Sequence, residues 1–429
     1  MKALLTQSLA AIVALSCAGL AQGQTASPKA TPPGTVDLAT IVRIARDTSP
    51  RIAVEKQSIT GAQANRITAG AYPNPSLTYG RSRPNGGQAT MFTGNLQQQV
   101  TLDIPLLIAG QRGARIARAD ADIEAARARV AAGSSTLAAE AGSLFTGLQA
   151  AEDSARIIEA TRDELLRLTR IVKVRGESGM ASAFDLARME VELATVETRL
   201  ADARADIVER AGQLAALLGI RGWQPRAAGA LSALALPVST IAKPRDGVMT
   251  SPAVVAAQNE ESAAKLGIDV AKSERWPVPS LSLGRAWTSE PFGSANYVGI
   301  SVELPLLDTR RGLQARAESD ATAATLRREL AESETAAQLE QYAGIIRIRE
   351  AALTEHDRKA GARLPGLRQM AEDAYRLGRG TVFDLLDATR SRAELQQTRV
   401  ELLAAMVDAQ IRYLAASGNW AMLEKSTRQ

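Results

Sequence analysis

The chain repeats itself, and the repeat limits its architecture more than any other feature does. Thr48-Ser49-Pro50 returns as Thr250-Ser251-Pro252, and YPNPSLTYG (Tyr72–Gly80) returns as WPVPSLSLG (Trp276–Gly284). VTLDIPLL (Val100–Leu107) returns as ISVELPLL (Ile300–Leu307), and Phe184-Asp185-Leu186 returns as Phe383-Asp384-Leu385. Trp223 and Trp420 close the two copies. The five landmarks keep their order at separations of 197 to 204 residues. Ordered landmarks at near-constant spacing are a duplication, so whatever the first copy folds into must occur twice.

Both copies have the same inner order. Ser49 and Ser251 suit helix N-caps, with Pro50 and Pro252 in the first turn. Two short strand-like segments follow, then a long helical stretch, a glycine break and a second helix that ends at the tryptophan. No proline occurs between Pro105 and Pro225, a run of 119 residues rich in helix formers. A helix from about 108 to 175 would reach on the order of 100 Å, which suits a coiled coil or a helical barrel better than a globular core. Copy two predicts the same from Thr309 to about Leu377, with a kink at Pro365.

The strand segments alternate. Val100, Leu102 and Ile104 interleave with Gln99, Thr101 and Asp103; Val298, Ile300, Val302 and Leu304 interleave with Gly299, Ser301 and Glu303. That period of two predicts half-buried strands. Tyr72, Tyr79, Phe92, Trp276, Trp287, Phe292 and Tyr297 gather here, as in the aromatic girdles of an outer-membrane barrel; a soluble sandwich patch is the alternative. Past the N-terminus no apolar stretch reaches the roughly 18 residues a membrane helix needs, so membrane crossing requires a closed barrel. Four strands per chain are too few, since even small barrels need about eight. Strands must then be pooled between copies of the chain.

Composition removes several function classes. Lys2, the apolar run Leu9–Leu20 and the small residues Ala21 and Gly23 form a secretory signal over 1–23. The single cysteine, Cys17, lies inside it. Ala14 stands where a lipobox expects leucine, which disfavours lipidation and leaves removal with the signal as the main reading. The mature chain then has no disulfide, no catalytic thiol and no thiolate metal site. His356 is the sole histidine, so neither histidine-based catalysis nor a histidine metal cluster is expected. The formal charge is +5, but its charges alternate in sign along helical faces such as Arg118–Val130, which excludes a nucleic-acid patch. No cofactor is expected.

The two glycine breaks are the most informative segments: RGESGMASAFDLARME (Arg175–Glu190) and YRLGRGTVFDLLDATR (Tyr375–Arg390). Their structural reading is a helix stop at Gly179 or Gly378 in the left-handed conformation. Ser182 or Thr381 then caps the next helix, with Asp185 or Asp384 three residues on. Phe184 and Phe383 are expected to pack the hairpin.

Signal, duplicated strand-pair and long-helix unit, and missing catalytic equipment together resemble the TolC family of outer-membrane efflux proteins, from about Asp37 to Trp420. IPLLIAGQRGARIARA (Ile104–Ala119) looks most like the outer-membrane components of cobalt-zinc-cadmium efflux systems. The resemblance implies a mainly α homotrimer. Each subunit gives four strands to an outer-membrane barrel set in lipid, and its helices continue as a long periplasmic helical barrel. It further implies a passive duct for substrates such as divalent heavy-metal cations, served by a resistance-nodulation-division pump and a periplasmic adaptor. Repeats would occupy 24–223 and 250–420, joined by an equatorial linker at 224–249 and followed by a tail at 421–429. The hairpins become the tunnel tip. Asp384 and Asp387 match paired aspartates at its aperture, Tyr375 and Asp185 match a closing network, and Arg379 or Arg188 takes the place of its arginine. Gly179, Ser182, Gly378 and Thr381 would dock the adaptor. Organic export or type I secretion is the alternative cargo. An adaptor is a weaker reading, since it needs one hairpin nested between β-rich halves; an enzyme lacks a site, and a self-standing porin lacks strands.

Overall fold

A computed structural model describes residues 32–82, 97–236, 243–288, 293–361 and 363–426, and its compact unit begins at Gly34. The signal segment, Cys17, Phe92 and Phe292 lie outside the described residues. In chain order, copy one consists of β1 (Thr35–Val36), α1 (Leu38–Arg43), a π-helical turn (Ile44–Thr48) and α2 (Pro50–Gly70). Then come β2 (Ser76–Ser82), β3 (Gln97–Pro105), α3 (Gln111–Glu177) and α4 (Ala183–Leu218). The connection carries β4 (Arg226–Ala227) and a 3-10 turn (Pro244–Gly247). Copy two follows with α5 (Pro252–Glu274), β5 (Ser280–Thr288), β6 (Ser294–Ser301) and α6 (Arg311–His356). After a π-helical turn (Asp357–Gly361) come α7 (Leu364–Arg376), α8 (Val382–Ser417) and α9 (Ala421–Ser426).

The predicted long helix is present as α3, whose 67 residues span on the order of 100 Å. Its copy-two counterpart is divided. The break is the π-helical turn at 357–361, and Pro365 stands in the first turn of α7 rather than inside a kinked helix. Proline has no backbone N–H to donate, so a helix start is where it costs least. Ser49 caps α2 by accepting from the Arg51 N–H at 3.3 Å. Ser251 makes no such bond, so the expected second cap reduces to backbone geometry and Pro252.

One antiparallel sheet holds the four longer strands in the order β2-β3-β5-β6. Its register sorts the side chains by face. Leu77, Leu102, Leu283 and Val298 form one cross-strand row, and Ile104, Leu281 and Ile300 the next. The opposite face carries the row Thr78, Thr101, Gly284 and Tyr297, where Gln99 Nε2 donates to the Tyr297 hydroxyl at 2.8 Å. Leu77, Val298 and Ile300 are exposed, so the chain by itself leaves its apolar sheet face uncovered. Near the loop end Arg285, on that face, lifts its guanidinium toward the Trp287 ring (5.6 Å) and donates to Ser294 Oγ at 3.1 Å. Val302 and Leu304 were expected to extend the last strand; β6 stops at Ser301, one residue short of Val302.

The main core lies at the other end of α2 and α5, where the copies meet. Ile41, Ile52, Phe145, Leu148, Leu214 and Leu218 pack there with Trp223, Met406, Ile411, Leu414 and Trp420. Trp420 Nε1 donates to Ser135 Oγ at 2.9 Å. α4 and α8 both end in a left-handed glycine, Gly219 and Gly418, seated against Pro50 and Pro252. The connection between copies is laid onto this core. β4 pairs in parallel with β1, and the Gln410 amide exchanges two 3.0 Å hydrogen bonds with the Leu234 backbone. Residues after Trp420 belong to the same core, since Leu423 of α9 is buried in it. No helix among the described residues is long and apolar enough to cross a membrane.

Candidate functional site

The two glycine breaks form matching hairpin tips. Gly179 (φ +72°) and Gly378 (φ +71°) occupy the left-handed region in open space, where a side chain would be strained. Each following helix starts with a reciprocal cap. Ser182 Oγ accepts from the Asp185 N–H at 3.1 Å, and the Asp185 carboxylate accepts from the Ser182 N–H at 3.1 Å. Thr381 and Asp384 repeat it at 3.3 and 2.7 Å. The Thr381 backbone N–H and hydroxyl hold the Asp384 carboxyl below its ordinary range. Two donors aimed at one carboxylate stabilise its charged form.

These tips share one core. Leu165, Leu168 and Val172 of α3 pack with Met189 and Val196 of α4, Tyr375 of α7, and Val382, Leu385 and Leu386 of α8. Ion pairs reinforce it from one copy to the other. Arg167 Nη1 donates to Glu372 Oε1 at 2.9 Å while also pairing with Glu164. Arg368 reaches Glu164 at 3.3 Å, and within α7 Arg376 adds a second pair to Glu372 at 2.7 Å. Arg390 Nε donates to Glu192 Oε1 at 2.8 Å. Glu372 and Glu192 are buried, and hydrogen bonds from Arg167 and Arg390 lower their carboxyl pKa values despite desolvation.

Tyr375 stands at the centre of this joint. Its ring is 94% removed from solvent (6% exposed), and the Arg175 guanidinium lies 4.6 Å from the ring centroid. Arg175 Nη1 also donates to the Tyr375 carbonyl. The Tyr375 hydroxyl and Arg175 Nε have no hydrogen-bond partner among the described residues. Burial raises the hydroxyl pKa; Arg175 opposes that shift, and Asp185 adds to it.

Placement of the expected residues is uneven. Asp185 is held by the Ser182 cap and acts on Tyr375 only through its charge. Arg188 lies over the Phe383 ring at 5.0 Å, and Arg379 joins the turn through its backbone N–H, which donates to Ala374 O at 2.9 Å. The guanidinium on Tyr375 belongs to Arg175, at the start of the copy-one motif, and a basic residue just before the glycine was its available signal. Asp384 is occupied by the cap, whereas exposed Asp387 makes no hydrogen bond among the described residues and interacts with Arg390 only through charge. Phe184 and Phe383 correct an expectation. They are 70% and 53% exposed, because the tip core is filled by Tyr375, Val382 and the leucines, which leaves both rings outside it. Arg170, Ile171, Val174, Arg175, Met180 and Arg376 line a cleft of about 500 Å³ at the same end. Among the described residues no group of three or more histidine, cysteine, aspartate or glutamate side chains is placed to hold a metal ion.

Known proteins share this arrangement. The sequence profile described as Outer membrane efflux protein matches residues 41–220. The cobalt-zinc-cadmium resistance protein CzcC of Cupriavidus metallidurans is 24% identical over 65% of this chain and 65% of its own length. The nickel-cobalt-cadmium resistance protein NccC of Alcaligenes xylosoxydans is 27% identical over 64% of this chain, and the match spans 62% of its own length. The pyoverdine export outer membrane protein OpmQ of Pseudomonas putida is 24% identical over 90% of this chain and 86% of its own. Among solved structures, CusC superposes with a TM-score of 0.73 at 18% identity, covering 89% of this chain and 92% of that one. Duplicated hairpins, a four-stranded sheet with an apolar face and the profile match lead to one conclusion: residues 41–220 are similar to the outer membrane efflux protein profile, and the chain as a whole shares the fold of CusC.

Proposed function

We propose that this chain is the passive exit duct of a tripartite efflux system and works as a homotrimer without catalysing a reaction. One observation carries the reading. A four-stranded sheet leaves two apolar cross-strand rows uncovered, with Leu77, Val298 and Ile300 exposed, at the end of a helix about 100 Å long, and four strands cannot close a barrel. Three chains supply twelve strands, cover no edge with water and turn the apolar rows toward lipid. The tandem repeats at 24–223 and 250–420 then give each subunit two equivalent hairpins to the tunnel, with 224–249 as the equatorial linker. A periplasmic adaptor docks at the tip around Gly179, Ser182, Gly378 and Thr381, and a resistance-nodulation-division pump delivers the substrate.

At the aperture, Asp387 and Asp384 of the three subunits form a carboxylate ring that favours cations. Tyr375, Arg175 and Asp185 hold the closed state, with Arg188 and Arg379 as the charges on its rim. Divalent heavy-metal cations are the favoured cargo, supported by the names of CzcC and NccC. Export of an organic compound is the second reading, supported by OpmQ, which matches over 90% of the chain.

Native mass in detergent, on protein extracted from an isolated outer-membrane fraction, tests the duct. A trimer is expected, and a soluble periplasmic monomer would overturn it. Growth of a deletion strain on cobalt, zinc and cadmium against siderophores and dyes then separates the two cargo readings.

A further inference from the structure

Each copy joins its sheet to its helices through the same construction, but the copy-two junction adds Lys272 and Arg275 where copy one has Thr68 and Ala71. In copy one, α2 ends at Gly70, Tyr72 leads into β2, and α3 starts after Gly110. Arg112 Nε donates to the Gly70 carbonyl at 2.7 Å, with its guanidinium 4.9 Å from the Tyr72 centroid. In copy two, α5 ends at Glu274, Trp276 leads into β5, and α6 starts after Arg310, which donates to the Glu274 carbonyl. Gly110 and Arg310 hold equivalent places with φ of +73° and +54°. Arg310 is the one non-glycine residue with positive φ among the described residues, a strained choice that places one more guanidinium at this junction.

Lys272, Arg275, Trp276, Pro305 and Thr309 line a cleft of about 470 Å³ beside the sheet. The equivalent copy-one positions of the first three are Thr68, Ala71 and Tyr72, so the fold forms without the two cations. Cations in the last turn and at the C-cap complement the helix dipole, which suits Lys272 and Arg275 alike and leaves both positive charges at one helix end. Neither charge is neutralised. The Lys272 ammonium has no partner among the described residues, and Arg275 Nη1 donates to the neutral Gln314 Oε1 at 2.9 Å. Glu274 is paired with Arg115 at 3.1 Å, Asp308 accepts from the Arg310 N–H at 2.9 Å, and Asp269, one turn before Lys272, makes no ion pair with it. Trp276 is 65% exposed, and Leu306 and Leu307, exposed at 80% and 101%, stand in the chain between the cleft residues Pro305 and Thr309. Both strand connections lie at the opposite end of the sheet, so the cleft sits on the periplasmic side of the apolar band.

We propose that this cleft binds the phosphate of an anionic glycerophospholipid in the periplasmic leaflet. Lys272 and Arg275 take the phosphate, Trp276 lies at the level of the glycerol, and the acyl chains run along Leu306 and Leu307. The proposal rests on the barrel reading above.

Native mass spectrometry of the full chain tests it, with phosphatidylglycerol and phosphatidylcholine added in equal amounts to the detergent-extracted protein. Preferential retention of phosphatidylglycerol is expected, weakened about thirtyfold in the double variant Lys272→Gln/Arg275→Gln. Copy one supplies a gain-of-function control: Thr68→Lys/Ala71→Arg should add a second retained phosphatidylglycerol per chain. Equal retention of both lipids by the wild type overturns the proposal. So does a double variant that loses trimer mass at an unchanged lipid ratio, because the cleft then belongs to the neighbouring subunit. A monomer in every sample would instead sink the barrel reading itself.

Discussion

The first hairpin and the second descend from one sequence but differ in build. α3 runs unbroken from Gln111 to Glu177, whereas its counterpart is α6, a π-helical turn and the 13-residue α7. Position 165 is a leucine buried in the tip core; its equivalent is Pro365, in the first turn of α7. What α3 gains from continuous backbone hydrogen bonding, α7 must gain from side chains. Arg167–Glu372, Glu164–Arg368 and the stacking of Arg175 on Tyr375 all fasten α7 to α3. Duplication thus yields a rigid scaffold in one copy and a separately fastened tip segment in the other. A protein that opens at the tip would move the segment whose attachment is local and reversible.

The strongest way to break this contrast is Tyr375→Ala. Removing a buried ring should cost about 3–4 kcal/mol. Hydrogen exchange is expected to accelerate across 364–390 with α3 unchanged; equal acceleration in both hairpins would mean that they open together. Arg175→Ala strips the cation from the same ring and should raise leak in single-channel recordings more than Arg188→Ala or Arg379→Ala, and equal leak from all three would deny Arg175 its place.

Glu372→Gln and Glu192→Gln come next, at roughly 1–3 kcal/mol each, because buried partners lose a charged hydrogen bond. Their pH dependence follows from the sign. Both carboxyls are held below their ordinary value of 4.5, so the stabilisation is complete above that pH and is lost as pH falls through the lowered values. Protection of α7 should therefore stay flat from neutral pH down to about 5 and fall only at more acid pH; a decline already near pH 6.5 would point to another titrating group. Ser182→Ala and Thr381→Ala should each cost about 1 kcal/mol by urea titration. Equal costs sharpen the equivalence of the two caps, and unequal ones break it. Tyr375→Phe has the smallest expected effect, since the hydroxyl it removes has no partner among the described residues. A rise in leak from that variant would assign the hydroxyl a contact in the assembled trimer.

Much of the architecture was legible because its determinants are local. Strand alternation placed Val100 and Ile300, and the absence of proline announced α3. A hydroxyl, a glycine and an aspartate at fixed spacing wrote both capping boxes into short windows. The interrupted copy-two helix was half legible: Pro365 signalled a disturbance, but the π-helical turn at 357–361 precedes it. The tip residues were legible as a neighbourhood and not as partnerships. Arg175 meets Tyr375 across 200 residues, and Arg390 meets Glu192 across 198. Separations so near the repeat length arise because the copies lie side by side, which no window of sequence displays.

By itself, then, the sequence determined the repeat, the long copy-one helix, the four alternating strands and the two tip caps, all of which follow from backbone propensity and periodicity. Only the tertiary structure decided which arginine stacks on Tyr375, why Phe184 and Phe383 stay outside the core, and how Leu234 and Gln410 clasp the connection. Those outcomes depend on the relative placement of helices packed by shape and charge, where several chemically similar side chains compete for one position and geometry selects the winner.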